Sequence, residues 1–208
     1  MNLLNLISQY LQPATFIFIL SLILILIALE IFPKVGLVDR PAKYGLKRKP
    51  IPYYGGLVIF TAFVISALAF VPIDKELIGL LTGGVLIVLI GFLDDLYGIS
   101  PFIRLFVQFL ACLFLVFFGI GILSINIPMI GTIDFTTIIW KGIPIWGAIF
   151  TIIWVMVILN TMNLIDGIGG LSSGVSFIAG ITIFVLSIHP GVHENPESQV
   201  GVATIALI

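Results

Sequence analysis

With 208 residues, 60% of them hydrophobic and only 9% charged, and a mean hydropathy of +1.28, the chain holds more apolar sequence than a soluble core of its length can bury. Its net charge of −1 and lack of a long basic tract give no reason to expect nucleic acid as a partner. The class that remains is an all-α polytopic transmembrane protein set in a lipid bilayer, read here as one membrane domain over residues 1–208 with about six full spans and a cut-off seventh. The single cysteine, Cys112, lies mid-span, which excludes an intramolecular disulfide and suits a buried small hydrophobe. Residues 1–13 have neither a basic n-region nor a small-residue cleavage site, so no signal peptide is expected there.

A spanning helix needs about 20 mostly apolar residues. In chain order the candidates are Ala14–Phe32, Gly55–Val71, Leu77–Leu93, Phe102–Leu123, Pro144–Leu159 and Leu171–Ile188. Between the fourth and fifth, Ser124–Ile143 is less regular. Its alternation Thr132-Ile133-Asp134-Phe135 predicts a short hairpin or amphipathic piece outside the bilayer. The last run, Val200–Ile208, is too short to cross and ends with no charge or cap, so the chain is expected to be the N-terminal part of a longer protein.

Orientation follows from Lys and Arg. Lys34, Arg40, Lys43, Lys47, Arg48 and Lys49 lie in the loop Pro33–Tyr54, and Arg104 follows Asp94-Asp95; only Lys75 and Lys141 fall on the other side. That asymmetry makes the loop cytoplasmic and the N-terminus external. Two spans separate the basic loop from Asp94-Asp95, and two more separate that pair from Asn160-Thr161-Met162-Asn163-Leu164-Ile165-Asp166-Gly167. All three polar clusters therefore reach one face, as a composite site requires.

Adjacent carboxylates at the edge of an apolar run are costly unless they meet water, a cation or a partner. Neighbouring helical positions point about 100° apart, so Asp94 and Asp95 address different groups or flank one metal at a frayed helix end. Hard oxygen ligands favour Mg²⁺, which bridges one or two carboxylates to substrate phosphates. Asn160, Asn163 and Asp166, spaced by three, stay on one side of a helix and offer two carboxamides and a carboxylate to a polar ligand. The bland readings are a solvated helix end for the first cluster and a plain C-cap for the second. The third, Asp39–Gly56, places basic residues before Pro50-Ile51-Pro52 and Gly55-Gly56, a shaped turn that also serves as a topology signal. Cations for phosphate, carboxylates for metal and amides for a sugar or base point together to phosphate-ester chemistry on a lipid.

Asp39-Arg40-Pro41 leading to Lys49-Pro50-Ile51-Pro52-x-x-Gly55-Gly56, then Gly91-Phe92-x-Asp94-Asp95, then Asn160-x-x-Asn163-x-Ile165-Asp166-Gly167-x-x-Gly170-Leu171, closely resemble the polyprenyl-phosphate N-acetylhexosamine-1-phosphate transferases. That family includes undecaprenyl-phosphate GlcNAc-1-phosphate transferases and phospho-MurNAc-pentapeptide transferases. The resemblance implies Mg²⁺-dependent transfer of a sugar-1-phosphate from a UDP-sugar to polyprenyl phosphate, with release of UMP, as the first membrane step of peptidoglycan, lipopolysaccharide or another surface glycan. It implies catalytic and metal roles for Asp94, Asp95 and Asp166, with Mn²⁺ able to replace Mg²⁺. It also implies substrate contacts for Asn160, Asn163, Asp39, Lys47, Arg48 and Lys49. Two positions depart from the family pattern: Gly169 stands where a second Asp is usual, and Lys47 where many relatives carry His. The family has a further Gly-Asp metal site and a His-rich loop beyond the region matching Ile208, so these 208 residues alone are expected to be inactive. Large apolar faces permit a homodimer.

Two other readings compete. An aromatic-type membrane prenyltransferase also uses Mg²⁺, but it needs Asp-x-x-Asp or Asp-x-x-x-Asp spacing, which neither Asp94-Asp95 nor Asp166 supplies. A transporter using Asp94, Asp95 and Asp166 as ion sites would place them mid-membrane on broken helices, whereas these lie at span ends.

Overall fold

The structure is a computed structural model, described for residues 3–38, 54–167, 169–188 and 202–206. Its elements run α1 (Leu3–Lys34), α2 (Gly55–Phe70), α3 (Lys75–Tyr97), α4 (Pro101–Phe117), β1 (Ser124–Ile127), β2 (Gly131–Asp134), β3 (Ile139–Trp140), β4 (Ile143–Pro144), α5 (Ile145–Ile165) and α6 (Leu171–Ser187). The chain is a helical membrane protein: α1, α3 and α5 contain stretches long and apolar enough to cross a membrane by length and composition. The other three helices are apolar but only 16 or 17 residues long. At 1.5 Å per residue they reach about 24–26 Å, short of a hydrocarbon core of about 30 Å. Three of the six expected spans thus meet the length criterion alone.

The helix ends differ from the hydropathy boundaries for local reasons. Helix α1 begins at Leu3 and continues through Pro13 and Pro33, although the apolar run suggests Ala14–Phe32. Hydropathy marks where lipid could lie, while the helical ladder continues into flanking sequence and loses only the bonds a proline cannot make. Helix α4 stops at Phe117 instead of Leu123. The Ile120 amide donates to Leu115 O and the Gly119 amide to Val116 O, with Gly119 left-handed at φ 96°. Those two bonds form a Schellman stop, which a hydropathy plot does not register.

The described residues fall into two compact units. One comprises Met1–Pro72 and Ala179–Ile208. In it α1 packs on α2, with Phe16 edge-on to Phe70 at 5.2 Å and Tyr10 edge-on to Phe184 at 5.3 Å. Ala62, Ala67 and Ala203 are fully buried there, small residues that let helices approach closely.

The other unit, Ile73–Ile178, holds α3, α4, both hairpins, α5 and the start of α6. Helix α3 opens on Asp74, whose Oδ1 accepts the Leu77 amide at 2.7 Å. Three residues, Gly98–Ser100, connect α3 to α4, which Pro101 starts, so the two form an antiparallel hairpin of helices. Helix α4 packs against both α3 and α5. The α3–α4 contact depends on Gly79, where an added Cβ would come 2.4 Å from the Phe118 Cβ. The buried thiol of Cys112 faces this interior, as its mid-span position suggests.

The irregular segment forms two antiparallel hairpins: β1–β2 with Ser124 opposite Asp134, and β3–β4 with Trp140 opposite Ile143 around a Lys141-Gly142 turn. The expected hairpin is therefore present, and a second follows it. Phe135 of the connecting segment stacks on Phe150 at 5.1 Å, and Phe150 on Trp154 at 6.0 Å, fixing the hairpins to the start of α5. There the Ile122 amide donates to Thr151 Oγ1, which itself donates to Gly147 O.

Candidate active site

Helices α3 and α5 run from the hairpin end of this unit to the opposite end, and α4 runs back between them. Two hydrogen-bonded contacts bring the sequence motifs together at that opposite end. Arg104, in the first turn of α4, pairs with Asp94 in the last turn of α3, Nη1 to Oδ2 at 3.3 Å. One turn further along α4, Gln108 Oε1 accepts from Asn160 Nδ2 at 2.9 Å, near the end of α5. The motifs at 94–95 and 160–166 thus meet at one end of one unit, as the count of intervening spans predicts.

Helix α3 is stopped three residues after the Asp pair by Gly98, left-handed at φ 66°, whose amide donates to Asp94 O at 2.7 Å. The stop leaves two carboxylates in the last helical turn, with no basic residue in that turn. The C-terminal end of a helix carries about half a negative charge, so anionic side chains there are disfavoured. Asp94 is partly relieved by Arg104; their side chains are 25% and 30% exposed, so the pair contributes at most about 1 kcal/mol. The Asp95 side chain is exposed and has no hydrogen-bond or ion-pair partner among the described residues. The Arg104 Nε–H is buried without an acceptor among the described residues.

Helix α5 repeats the arrangement. It ends with Asp166 at its C-cap, the Asp166 amide bonded to Met162 O, again with no basic residue in the last turn. The Asp166 Oδ1 accepts from Ser172 Oγ in the first turn of α6. Asn163 is exposed, and Asn160 is half-buried. Gly169 lies in open space, with nothing within 4 Å of an added Cβ.

No group of three or more His, Cys, Asp or Glu side chains is assembled among the described residues. Asp94, Asp95 and Asp166 therefore do not make a closed three-carboxylate cage. The donor set still suits Mg²⁺, which takes one or two carboxylates and completes its octahedron with water and substrate phosphate. Two carboxylates at the negative end of α3, one of them unpaired, are the feature a divalent cation would relieve. Asp39, Lys47, Arg48 and Lys49, expected to meet substrate, lie outside the described residues, as do His189 and His193.

Sequence reading takes Arg104 as a topology signal and passes over Gln108 and Ser172. The signal for the first two is their spacing: Arg104 and Gln108 sit at i and i+4 on an otherwise apolar helix. At the hairpin end Asp134 has a different setting. Hydrogen bonds from the Thr136 hydroxyl and amide hold its carboxyl below the usual carboxylate range.

The family model described as Glycosyl transferase family 4 matches residues 77–208, the stretch that contains every element of this site. The chain is 30% identical over 179 residues to a Bacillus subtilis protein named "Probable undecaprenyl-phosphate N-acetylglucosaminyl 1-phosphate transferase", covering 84% of this chain and 48% of the relative. It is 29% identical over 185 residues to the undecaprenyl-phosphate alpha-N-acetylglucosaminyl 1-phosphate transferase of Yersinia pestis, covering 86% and 46%. It is also 29% identical over 199 residues to the phospho-N-acetylmuramoyl-pentapeptide-transferase of Latilactobacillus sakei, covering 86% and 60%. The chain spans about half the length of the curated relatives it matches.

Proposed function

This chain belongs to glycosyl transferase family 4, and on that premise we propose that the protein carrying it transfers an N-acetylhexosamine-1-phosphate from a UDP-sugar to polyprenyl phosphate. One oxygen of the lipid phosphate attacks the sugar-bearing phosphorus and forms a new P–O bond. The bond from that phosphorus to the UMP oxygen breaks, and its electron pair leaves with UMP. The observation that supports this reading is the convergence of two acidic helix ends around Arg104 and Gln108.

Each residue has a role suited to its setting. Asp95, unpaired at the end of α3, and Asp94, pinned by Arg104, would hold Mg²⁺ or Mn²⁺. When bound, the ion would neutralise the diphosphate charge that develops as UMP departs. Asp166, held by Ser172, would take a metal-bound water or a substrate hydroxyl, and Asn160 and Asn163 would orient the nucleotide-sugar. Arg104 leaves most of its guanidinium donors free of Asp94 and suits a phosphate oxygen. Asp39, Lys47, Arg48 and Lys49 are proposed to meet phosphates near the lipid. The excess of Lys and Arg in the loop Pro33–Tyr54 and at Arg104 supports a cytoplasmic orientation of this end in the cell membrane, with the N-terminus outside. The apolar helix surfaces would face lipid or a second copy in a homodimer.

The test is UMP release by the complete protein from UDP-N-acetylglucosamine and undecaprenyl phosphate. Release that needs Mg²⁺ and stops with EDTA is expected. No UMP from either UDP-N-acetylglucosamine or UDP-MurNAc-pentapeptide would contradict the reading.

A further inference from the structure

Gln108 is 6% exposed in the middle of an apolar helix, a costly place for a carboxamide unless its hydrogen bonds serve a purpose. Its Oε1 accepts from Asn160 Nδ2 at 2.9 Å, and the same nitrogen donates to Met156 O at 2.8 Å. The second contact fixes the orientation of both amides. A backbone carbonyl only accepts, so nitrogen and not oxygen of Asn160 must face it, and Gln108 must then present oxygen. Both Nδ2 protons of Asn160 are thereby engaged within the protein.

We propose that Gln108 is a positioning residue that locks the Asn160 carboxamide so that only its oxygen is offered to the ligand. Asn160 then takes a hydrogen-bond donor, such as a sugar hydroxyl, an acetamido or imide N–H, or a metal-bound water, and rejects a bare phosphate oxygen. Gln108 lies one turn from Arg104, about 6 Å along α4 at 1.5 Å per residue, so the same helix face sets the distance between Asp94 and Asn160. This role rests on the proposed transferase reading for the identity of the ligand, but the Gln108–Asn160 contact itself does not.

The test is a double-mutant cycle in the complete protein with Gln108→Met, which keeps volume and removes the carboxamide, and Asn160→Ala. Gln108→Met alone is expected to raise KM for the UDP-sugar by about 10- to 100-fold with a smaller change in kcat. In the Asn160→Ala background the same change should alter KM less than about twofold, because the group it positions is gone. Equal losses in both backgrounds, or no change in KM from Gln108→Met alone, would overturn the role. The two failures are separable. A wild-type protein that releases no UMP contradicts the transferase reading, and the cycle is then read on Tm, where non-additive shifts support the Gln108–Asn160 lock and additive ones refute it. An active wild type with additive KM effects contradicts only the positioning role.

Discussion

The two ends of the Ile73–Ile178 unit handle polar groups in opposite ways. At the hairpin end the charged side chains each have a partner: Asp74 takes the Leu77 amide, Asp134 the Thr136 amide and hydroxyl, Lys75 lies beside Glu76 at 3.4 Å, and Lys141 lies over the Trp140 ring at 5.0 Å. At the other end the partners are incomplete. Arg104 holds Asp94, Gln108 holds Asn160 and Ser172 holds Asp166, yet the Asp95 and Asn163 side chains are exposed and have no hydrogen-bond or ion-pair partner among the described residues. Both ends interrupt apolar helices, and both carry acidic residues. The two ends therefore differ in whether the chain itself satisfies its carboxylates, and Asp95 is the one left over among the described residues of this unit.

Substitutions can break this contrast, and the largest effect should come from the unpaired carboxylate. Asp95→Asn should lower UMP release by the complete protein by about 10³-fold, equivalent to several kcal/mol of transition-state stabilisation, with Tm little changed. Activity within tenfold of wild type would remove Asp95 from the site. Next comes the packing of α3 on α4 near the hairpin end. Gly79→Ala forces a Cβ to within 2.4 Å of the Phe118 Cβ, and overpacking of this kind destabilises by about 1–3 kcal/mol. Thermal unfolding in detergent should show a clear drop in Tm; an unchanged Tm would mean that α3 and α4 are not seated so closely. Smaller still, Gly169→Asp adds a side chain in open space and should leave stability within about 0.5 kcal/mol. A large loss there would mean that the turn after Asp166 is more crowded than the structure shows. Asp134→Asn, at the closed end, should leave UMP release unchanged.

Much of this contrast was legible in the sequence. Long apolar runs mark the helices, and the number of runs between them puts 94–95 and 160–166 at one end. The alternation Thr132-Ile133-Asp134-Phe135 predicts a short hairpin or an amphipathic piece, and the structure has the hairpin. What hydropathy could not supply was geometry made by single hydrogen bonds. The Schellman stop at Gly119 ended α4 six residues early, and α1 ran through Pro13 because apolar character and helical bonding are separate properties. The i, i+4 spacing from Arg104 marks Gln108 without saying what it does, for a related reason. One amide in an apolar run looks like an ordinary buried polar residue until the helix beside it is known to carry Asn160. The same holds for Ser172, whose role follows only from the turn that brings it to Asp166.

We propose that the open end of this unit, and not the hairpin end, holds a divalent cation together with a nucleotide-sugar. Binding of Mn²⁺ to the complete protein in the presence of UDP-N-acetylglucosamine, followed by electron paramagnetic resonance, tests it directly. The account predicts that wild type and Asp134→Asn bind the ion alike, while Asp95→Asn loses most of that binding. Equal Mn²⁺ binding by wild type and Asp95→Asn would contradict it.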